Sequence, residues 1–503
     1  ACRHEWTNIN GPVRICHLKR FAADADAARP VPLKPWFGPT GRRVAVIGGG
    51  PTGLTAAREL KRYGHDVELF EREQQLGGVM VVGIPAFRLP REVVAQEVAA
   101  IVDSGIDVRL GQEVDPAQVM AMLSDEAYHA VLIAAGAHEP RSLQLPGLAE
   151  GLAVEGLPFM AAYNRGQPPV IAEPVVVIGG GFTAVDCVRA AKRILGPEAE
   201  VSMCYRRGPE QMAAPPEEIH EMGREGISVE TLVSPVSAVT ENGELRAIRF
   251  RRNRLGPASH PGAKPEMLPI EGSEFDVPAR TVIVAIGQQP TGGVLPEGVD
   301  RTESRRTTEE KLFVAGDFAL GSEAIIDAVA DGKKAADEID RMLTGRQRRR
   351  PGLQIDAAED TGRLRDHDLL RPTPMPVLPL DRRRGQREVE TGFDAESGDL
   401  HAWRCYLCNH KYEIDQDKCI HCDWCIRVSP RNCILRLSEL RRDADGAPLA
   451  WTEVPADQPE RTTYIWIDSD QCIRCGNCIR ICPTGAISLR KARLETCNVC
   501  TTP

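Results

Sequence analysis

The densest concentration of chemically reactive residues in this 503-residue chain is a group of cysteines near its C-terminal end. Twelve of the sixteen cysteines lie between positions 405 and 500, mostly two residues apart. One run ends in a Cys-Pro pair and has the spacing at which thiolates enclose a four-iron, four-sulfur cubane. Its cysteines are Cys472, Cys475, Cys478 and Cys482. The clustering favours iron–sulfur or zinc ligation in a reducing compartment over disulfide bonds.

A second run precedes the first, but Ser429 stands where its fourth cysteine is expected, and Cys433 follows four residues later. In two-cluster ferredoxins the fourth cysteine of each run binds the other cluster. If Cys433 substitutes, the two predicted ligand sets are Cys419, Cys422, Cys425 with Cys482, and Cys472, Cys475, Cys478 with Cys433. Ser429 leaves a three-iron or absent first cluster open. Zinc is disfavoured because a three-cysteine run followed by Cys-Pro suits a cubane better than one tetrahedral ion.

Two further cysteine pairs flank this core and could form a third metal centre. They are Cys405 with Cys408 and Cys497 with Cys500. The alternative is that both pairs are structural thiols or meet residues of a partner. Near the N-terminus, Cys2 is a candidate last ligand of a cluster whose other ligands lie upstream, and Cys16 is predicted to be a buried structural thiol.

A glycine-rich turn follows the apolar residues 44–47 and opens a predicted helix. In such a strand–turn–helix unit, backbone N–H groups and the positive helix end can face a pyrophosphate. The candidate binding residues are Gly48, Gly50, Pro51, Thr52 and Gly53. Glu71 ends the next strand, where its carboxylate can accept hydrogen bonds from a ribose.

A second unit of the same kind begins with residues 175–178 and continues through Gly179, Gly181, Phe182 and Thr183. Ala184 replaces the third glycine, and Arg206-Arg207 replaces the acid at the end of the next strand. Two guanidinium groups can bind a 2′-phosphate that a carboxylate would repel, so this site favours NADP(H) over NAD(H). The alternative is an ordinary surface pair of arginines.

Later strands end in Gly136, Gly287 and Gly316-Asp317 and close the two nucleotide-binding folds. The predicted fold class is therefore α/β, with two Rossmann-like domains and a C-terminal α+β domain of the bacterial ferredoxin type.

Three segments resemble the glutamate synthase small-subunit family, which includes the NADPH-dependent flavin halves of bifurcating transhydrogenases and of dihydropyrimidine dehydrogenase. They are residues 77–90, 179–186 and 205–208, and the similarity spans about residues 8–340. The resemblance implies FAD in the first unit, with Gly78 and Asp317 among its contacts, and NADP(H) in the second. Phe182 and Val81-Val82 depart from the family pattern and bear on the details of cofactor contact.

Length and composition suggest about three domains. The predicted boundaries are 1–37 (part of an N-terminal helical domain), 38–145 with 305–345 (FAD), 146–304 (NAD(P)H), 346–400 (extended linker) and 401–503 (ferredoxin-like). The Arg- and Pro-rich linker is expected to be solvated, or to lie along a partner subunit.

Bulk properties exclude some classes of function. The net charge of −9 argues against nucleic-acid binding. No run reaches the ~20 apolar residues of a membrane span, and no secretory signal is visible, so a cytoplasmic location is predicted. The start at Ala-Cys-Arg suggests a processed or truncated chain.

The leading hypothesis is an electron-transfer subunit that moves electrons between NAD(P)H, FAD and two [4Fe–4S] clusters. Hydride transfer to a flavin needs no acid or base, so no catalytic side chain is predicted. The expected partner is a catalytic subunit, glutamate synthase-like or 2-oxoacid:acceptor oxidoreductase-like, or a soluble ferredoxin. Two alternatives are a self-contained flavin reductase of a small molecule and a non-enzymatic redox scaffold.

Overall fold

The computed structural model describes residues 2, 11–27, 33–149, 151–257, 265–290, 292–302, 305–321, 324–346, 353–361, 365–405, 408–442 and 448–494. The strands are, in chain order, β1 (Arg43–Ile47), β2 (Asp66–Glu71), β3 (Asp107–Leu110), β4 (Ala130–Ile133), β5 (Glu139–Pro140), β6 (Ala153–Glu155), β7 (Val175–Ile178), β8 (Val201–Tyr205), β9 (Ser228–Thr231), β10 (Val233–Glu241), β11 (Glu244–Leu255), β12 (Met267–Pro278), β13 (Thr281–Val284), β14 (Gln288–Gln289), β15 (Leu312–Val314), β16 (Leu353–Ala358), β17 (His410–Ile414), β18 (Ile434–Arg442), β19 (Pro448–Glu453), β20 (Tyr464–Ile467) and β21 (Ile487–Leu494). The helices are α1 (Ile15–Ala27), α2 (Pro51–Arg62), α3 (Val79–Val82), α4 (Arg91–Val102), α5 (Pro116–Ser124), α6 (Gly156–Asn164), α7 (Phe182–Leu195), α8 (Pro216–Arg224), α9 (Asp317–Leu320), α10 (Ile325–Thr344), α11 (Arg365–Leu369), α12 (Ala395–Arg404), α13 (Trp424–Arg427) and α14 (Asn477–Ile481).

The first nucleotide-binding fold is a five-stranded parallel sheet in the order β15-β4-β1-β2-β3. Its central strand β1 is apolar and almost wholly buried, as expected for a strand covered on both faces. Helices α2 and α10 cover one face through residues such as Leu60 and Ile339. The other face packs against α5 and α9, through Val119 and Phe318.

The second nucleotide-binding fold is also a five-stranded parallel sheet, in the order β6-β13-β7-β8-β9. Between β9 and β13 the chain forms an antiparallel sheet, β10-β11-β12, whose Ile248 and Phe250 pack with Val176 and Val282. The sequence analysis does not identify this sheet, although β11 alternates buried apolar residues with exposed arginines, as a half-buried strand does. Strands β5 and β14 pair antiparallel beside the two parallel sheets.

The C-terminal region contains two small antiparallel sheets, β16-β21-β17 and β19-β18-β20. Each cysteine run includes a short helix that carries its third cysteine, Cys425 on α13 and Cys478 on α14. Helix α1 packs against α12, since a Cβ placed on Gly398 would lie 2.5 Å from the ring of Phe21. The predicted linker, residues 346–400, contains β16, α11 and the beginning of α12.

By their contacts, the described residues form two compact units. One lies within 1–29, 349–377 and 391–503, and the other within 30–348 and 378–390. Residues 378–390 therefore pack with the nucleotide-binding folds: Val389 N donates to Phe87 O at 3.0 Å, and Tyr163 Oη donates to Gly385 O at 3.1 Å. Within the described ranges, no helix combines the length and apolar character that a membrane span requires.

Candidate functional site

The first glycine turn connects β1 to α2, and its first and last glycines, Gly48 and Gly53, lie very close together. A Cβ on Gly53 would lie 1.8 Å from Gly48 O, so only glycine allows the helix to start this near the strand. Pro51 opens the helix, where its missing N–H costs no helical hydrogen bond. The free N–H groups of this helix end face the space beyond the sheet, where an anion would be stabilised.

Glu71 fixes the turn as well as ending β2. Its Oε2 accepts a hydrogen bond from Gly49 N at 2.7 Å, and its Oε1 accepts one from Glu73 N at 2.9 Å. The side chain is only 7% exposed. Because each carboxylate oxygen can accept a second hydrogen bond, Glu71 can position the glycine turn and still receive a ribose hydroxyl.

A cavity that is partly open to solvent lies over this turn. Its lining includes most of the residues predicted for the first nucleotide, namely Gly48, Gly50, Pro51, Thr52, Glu71, Gly78, Gly136 and Asp317. Segments far apart in the chain therefore meet around one space. Gly53 and Gly316 do not line it, but pack directly behind it.

The turn at Gly316-Asp317 is tied to α10. Gly316 N donates to Asp331 Oδ2 at 2.7 Å, and Asp331 is buried and paired with Arg305. A Cβ on Gly332 would lie 2.5 Å from Thr52 O, so α10 packs closely against the first glycine turn. These contacts place Asp317 at the cavity wall.

The cavity also has walls that the sequence analysis does not identify. They include Phe70, Arg72, Gln112, Val114, His138, Val294, Ala324 and Ile325. Burial and the nearby charge of Arg72 together lower the pKa of His138 to about 4, so the imidazole is neutral at ordinary pH. The only sequence signal for His138 is its place two residues after Gly136, which is too weak to identify a cavity residue.

The second glycine turn joins β7 to α7. Gly179 has φ +155°, and a Cβ there would lie 2.2 Å from Ala285 O, so this position requires glycine. Gly181 precedes α7, and Phe182 and Thr183 begin it, with the Phe182 side chain 43% exposed. Gly287 lies after β13, and its carbonyl accepts a hydrogen bond from Arg141 N at 3.0 Å.

Arg206 and Arg207 follow β8 directly, at the same edge of the sheet as the glycine turn. Their backbone is held in place, because Asn253 Nδ2 donates to Arg206 O at 3.1 Å and Leu232 N donates to Arg207 O at 3.0 Å. Neither guanidinium forms an ion pair with any residue that the structure describes. The pair therefore offers positive charge at the place where a 2′-phosphate would lie.

A network of buried ion pairs joins the two nucleotide-binding folds to residues 378–390. Arg88 Nη1 lies 2.7 Å from Asp186 Oδ1 on α7. Arg189, one turn further along α7, lies 2.8 Å from Glu225, and Arg383 lies 2.9 Å from the same carboxylate. Burial alone would raise the pKa of Glu225, but Arg189 and neighbouring Arg193 lower it to about 2. No sequence motif points to this network.

The first predicted cluster ligands meet at one cavity. Cys419, Cys422, Cys425 and Cys482 all line this one space. Its other walls are mostly apolar, and include Ile414, Ile465 and Ile487. Two cysteine runs that are more than forty residues apart in the sequence thus contribute to one set of four thiols, called here the first thiol group. The predicted exchange of fourth cysteines requires such a set.

The other four cysteines also come together. The thiols of Cys433, Cys472, Cys475 and Cys478 are close enough to influence one another electrostatically. Burial, together with the neighbouring thiols of Cys472 and Cys475, raises the pKa of Cys478 to about 12. A thiolate at Cys478 therefore needs a cationic partner such as iron.

Ser429 contacts this second group without taking a ligand position. Its Oγ lies 3.3 Å from Cys433 Sγ, and its hydroxyl also hydrogen-bonds Arg431 O. Within the described part of the chain, no three His, Cys, Asp or Glu side chains are arranged to hold a single metal ion. A cubane binds each thiolate through a different iron atom, so its ligands need not converge on one point.

The outer cysteines are only partly described. Burial raises the pKa of Cys405, and the thiols of Cys408 and Cys2 also raise it. Cys2 is buried, and Val13 N donates to its Sγ at 3.3 Å. Cys497 and Cys500 lie outside the described residues. The prediction that Cys16 is buried is wrong: it is exposed on α1, because α1 has no buried residue.

Two family models and several known proteins match this chain. The family model described as pyridine nucleotide-disulphide oxidoreductase matches residues 42–332, and a 4Fe-4S binding domain model matches residues 465–488. The NADP(+)-dependent formate dehydrogenase subunit beta of Moorella thermoacetica is 33% identical over 80% of this chain and 62% of that protein. The glutamate synthase [NADPH] small chain of Escherichia coli (strain K12) is 33% identical over 60% of this chain and 69% of that one.

The chain spans about six tenths of the formate dehydrogenase subunit's length. Among solved structures, Mycobacterium tuberculosis FprA in complex with NADPH has a TM-score of 0.53 at 18% identity, covering 60% of this chain and 85% of that one. At that identity the likeness shows a common fold. The α/β fold class and the family resemblance predicted from the sequence are confirmed.

Proposed function

Because this chain belongs to the pyridine nucleotide-disulphide oxidoreductase family and to the group of the glutamate synthase small chain, we propose that it is the electron-transfer subunit of an oxidoreductase complex. It moves electrons between NADP(H), FAD and two [4Fe–4S] clusters, to or from a partner enzyme. The observation that carries this proposal is that one chain combines a cavity at the first glycine turn, two arginines beside the second that pair with no described acid, and two groups of four cysteines.

FAD occupies the cavity of the first fold in this proposal. Glu71 receives the ribose, the α2 N-terminus faces the pyrophosphate, and Asp317 contacts the ribityl–phosphate region. When bound, FAD would accept a hydride and release its electrons one at a time. The chain itself contributes orientation and exclusion of water, through the buried strands beneath the turn and the close packing of α10.

NADP(H) binds at the second fold, where Arg206 and Arg207 bind the 2′-phosphate. The arginines prefer NADPH over NADH because NADH lacks that phosphate. Gly179, Gly181, Phe182, Thr183 and Gly287 form the rest of the site. The proposed domain boundaries are 38–145 with 305–345 for FAD and 146–304 for NADP(H).

Two [4Fe–4S] clusters follow from the two thiol groups, one held by Cys419, Cys422, Cys425 and Cys482, the other by Cys433, Cys472, Cys475 and Cys478. The donor set is entirely thiol, as a cubane requires. A third centre at Cys405 and Cys408 would need further ligands, and Cys2 is the additional thiol beside them. Clustered thiols of this kind suit a reducing compartment such as the cytoplasm.

The partner is a catalytic subunit or a soluble ferredoxin. The relatives named above are subunits of a formate dehydrogenase and of a glutamate synthase, so either class of partner is compatible with the proposal. Affinity purification of the native complex, followed by identification of the co-purified subunit, tests this part.

Anaerobic reduction of the purified protein tests the electron route. With FAD and iron bound, NADPH should bleach the flavin absorbance and then produce the EPR signals of reduced clusters. A flavin that NADPH does not bleach would support a non-enzymatic scaffold. Clusters that stay oxidised after flavin reduction, with turnover of a small acceptor, would instead support a self-contained reductase.

A further inference from the structure

The two cysteine runs have matching backbones. The third residue of each Cys-x-x-Cys segment has positive φ, +51° at His421 and +61° at Arg474. The residue after the second cysteine also does, +61° at Asp423 and +75° at Gly476. Since the same turn recurs in both runs, His421 and Arg474 occupy equivalent positions, one beside each thiol group.

These equivalent positions carry different side chains in different surroundings. Arg474 is only 4% exposed, whereas His421 is exposed. The guanidinium is held by backbone carbonyls: Nε donates to His410 O at 2.5 Å, and Nη1 donates to Cys472 O at 2.9 Å and to Ser469 O at 3.1 Å. These three hydrogen bonds therefore hold the guanidinium in one place inside the unit.

No carboxylate neutralises this buried cation. Within the described residues of this unit, the ion pairs involve other side chains, and Arg474 has none. The same guanidinium donates to the backbone carbonyl of Cys472, a member of the second thiol group, so its charge is held within the loop that carries this cysteine. A buried cation without an acid is costly unless another anion lies beside it, and a cluster with four thiolates is such an anion.

The first thiol group has the opposite environment. Asp423 lines its cavity and is paired with Arg436 at 2.8 Å, so the nearest charges largely cancel. The second group has, besides Arg474, the Ser429 hydroxyl 3.3 Å from Cys433 Sγ. Positive charge therefore concentrates around the second group, which also has a polar hydroxyl in contact with one of its thiols.

We propose that Arg474 makes the cluster held by Cys433, Cys472, Cys475 and Cys478 the higher-potential member of the pair, so that a single electron resides there. This inference rests on the proposed function. Reduction adds one electron and no proton to a cluster, so a nearby fixed positive charge stabilises the reduced form. Arg474 acts through this charge and through its hydrogen bond to Cys472.

The test is a redox titration of the reconstituted holoprotein, followed by EPR, on the wild type and matched variants. Arg474→Gln removes the charge and keeps hydrogen-bond donors, Arg474→Lys keeps the charge, and His421→Gln is the control at the equivalent position. At a fixed ambient potential, Arg474→Gln should lower the reduced-to-oxidised ratio of the higher-potential cluster by about tenfold. Arg474→Lys should lower it much less, and His421→Gln should leave it unchanged.

Ser429→Ala provides a second, milder probe if Arg474→Gln fails to retain iron. Loss of the hydroxyl beside Cys433 should lower the same, higher potential. A shift confined to the lower-potential signal, an equal shift of both, or no shift in either variant would overturn the inference. Protein that holds two clusters but shows these outcomes leaves the proposed function standing, whereas protein that cannot hold two clusters contradicts the proposed function itself.

Discussion

Arg88 Nη1 and Asp186 Oδ1 lie 2.7 Å apart and form an ion pair between the loop after α3 and the first turns of α7. The pair links the first nucleotide-binding fold to the helix that begins at the second glycine turn. Arg88 also lies over the ring of Phe182, with its guanidinium carbon 5.5 Å from the ring centroid. These contacts help to fix how the two folds face each other, and hence how a nicotinamide can approach a flavin.

Removing Arg88 should destabilise the protein, because Asp186 would be left as a buried charge without a partner. Arg88→Met is expected to lower the free energy of unfolding by about 3 kcal/mol, measured by denaturant unfolding near neutral pH. Arg224→Met on the exposed end of α8 is the control and should change it by less than about 1 kcal/mol. Equal losses in both variants would contradict a special role for the pair.

The pH dependence of that loss is a separate prediction. Burial raises the pKa of Asp186 to about 6, although Arg88 partly opposes the rise. The folded state thus binds a proton that the unfolded state releases, so this group's contribution to stability increases as pH falls from about 6 towards 4. Without Arg88 the pKa of Asp186 should rise further, so the difference between wild type and Arg88→Met should shrink as pH falls from about 8 to about 6 and then level off. A difference that stays constant from about pH 8 to about pH 6 would be evidence against Asp186 as its source.

Gly53→Ala should greatly weaken the binding of FAD. The added Cβ would lie 1.8 Å from Gly48 O, so the turn must open and its N–H groups must leave their positions. We expect most of the flavin to be lost on gel filtration, measured as bound FAD per chain. Gly38→Ala is the matched control, because nothing lies within 4 Å of its Cβ position, and it should retain FAD.

Alanine at both Arg206 and Arg207 should separate the two nicotinamide cofactors. The Michaelis constant for NADPH is expected to rise by tenfold or more, on the order of one or two lost charge-assisted hydrogen bonds. That for NADH should be nearly unchanged. Steady-state reduction of an artificial acceptor measures both constants, and Arg246→Ala on the exposed face of β11 is the control. A parallel rise for both cofactors would contradict 2′-phosphate binding.

Cys433→Ala should remove one cluster and spare the other. Iron analysis and EPR of the purified variant should show about half of the wild-type iron and a single cluster signal. Cys16→Ala, at an exposed thiol on α1, should retain all of it. Full iron content in Cys433→Ala would show that another residue, with Ser429 the nearest candidate, completes the cluster.

The sequence by itself determined the local features of this protein. The glycine turns, the arginine pair after β8 and the spacing of the cysteine runs each encode their geometry within a few residues, because a turn or a run depends on neighbouring φ angles and reach. The assignment of Cys433 to the second thiol group could also be predicted, because in two-cluster ferredoxins the fourth cysteine of each run binds the other cluster.

Only the tertiary structure decided which distant residues meet. His138 and Ile325 line the first cavity because α10 and the loop after β4 converge there. Arg88 meets Asp186, and Arg383 joins Glu225, because burial makes pairing obligatory for charges whose partners are not specified locally. The same holds for Arg474: its neighbours in sequence show a cysteine run, but only packing against His410 shows that its charge is buried beside the thiols.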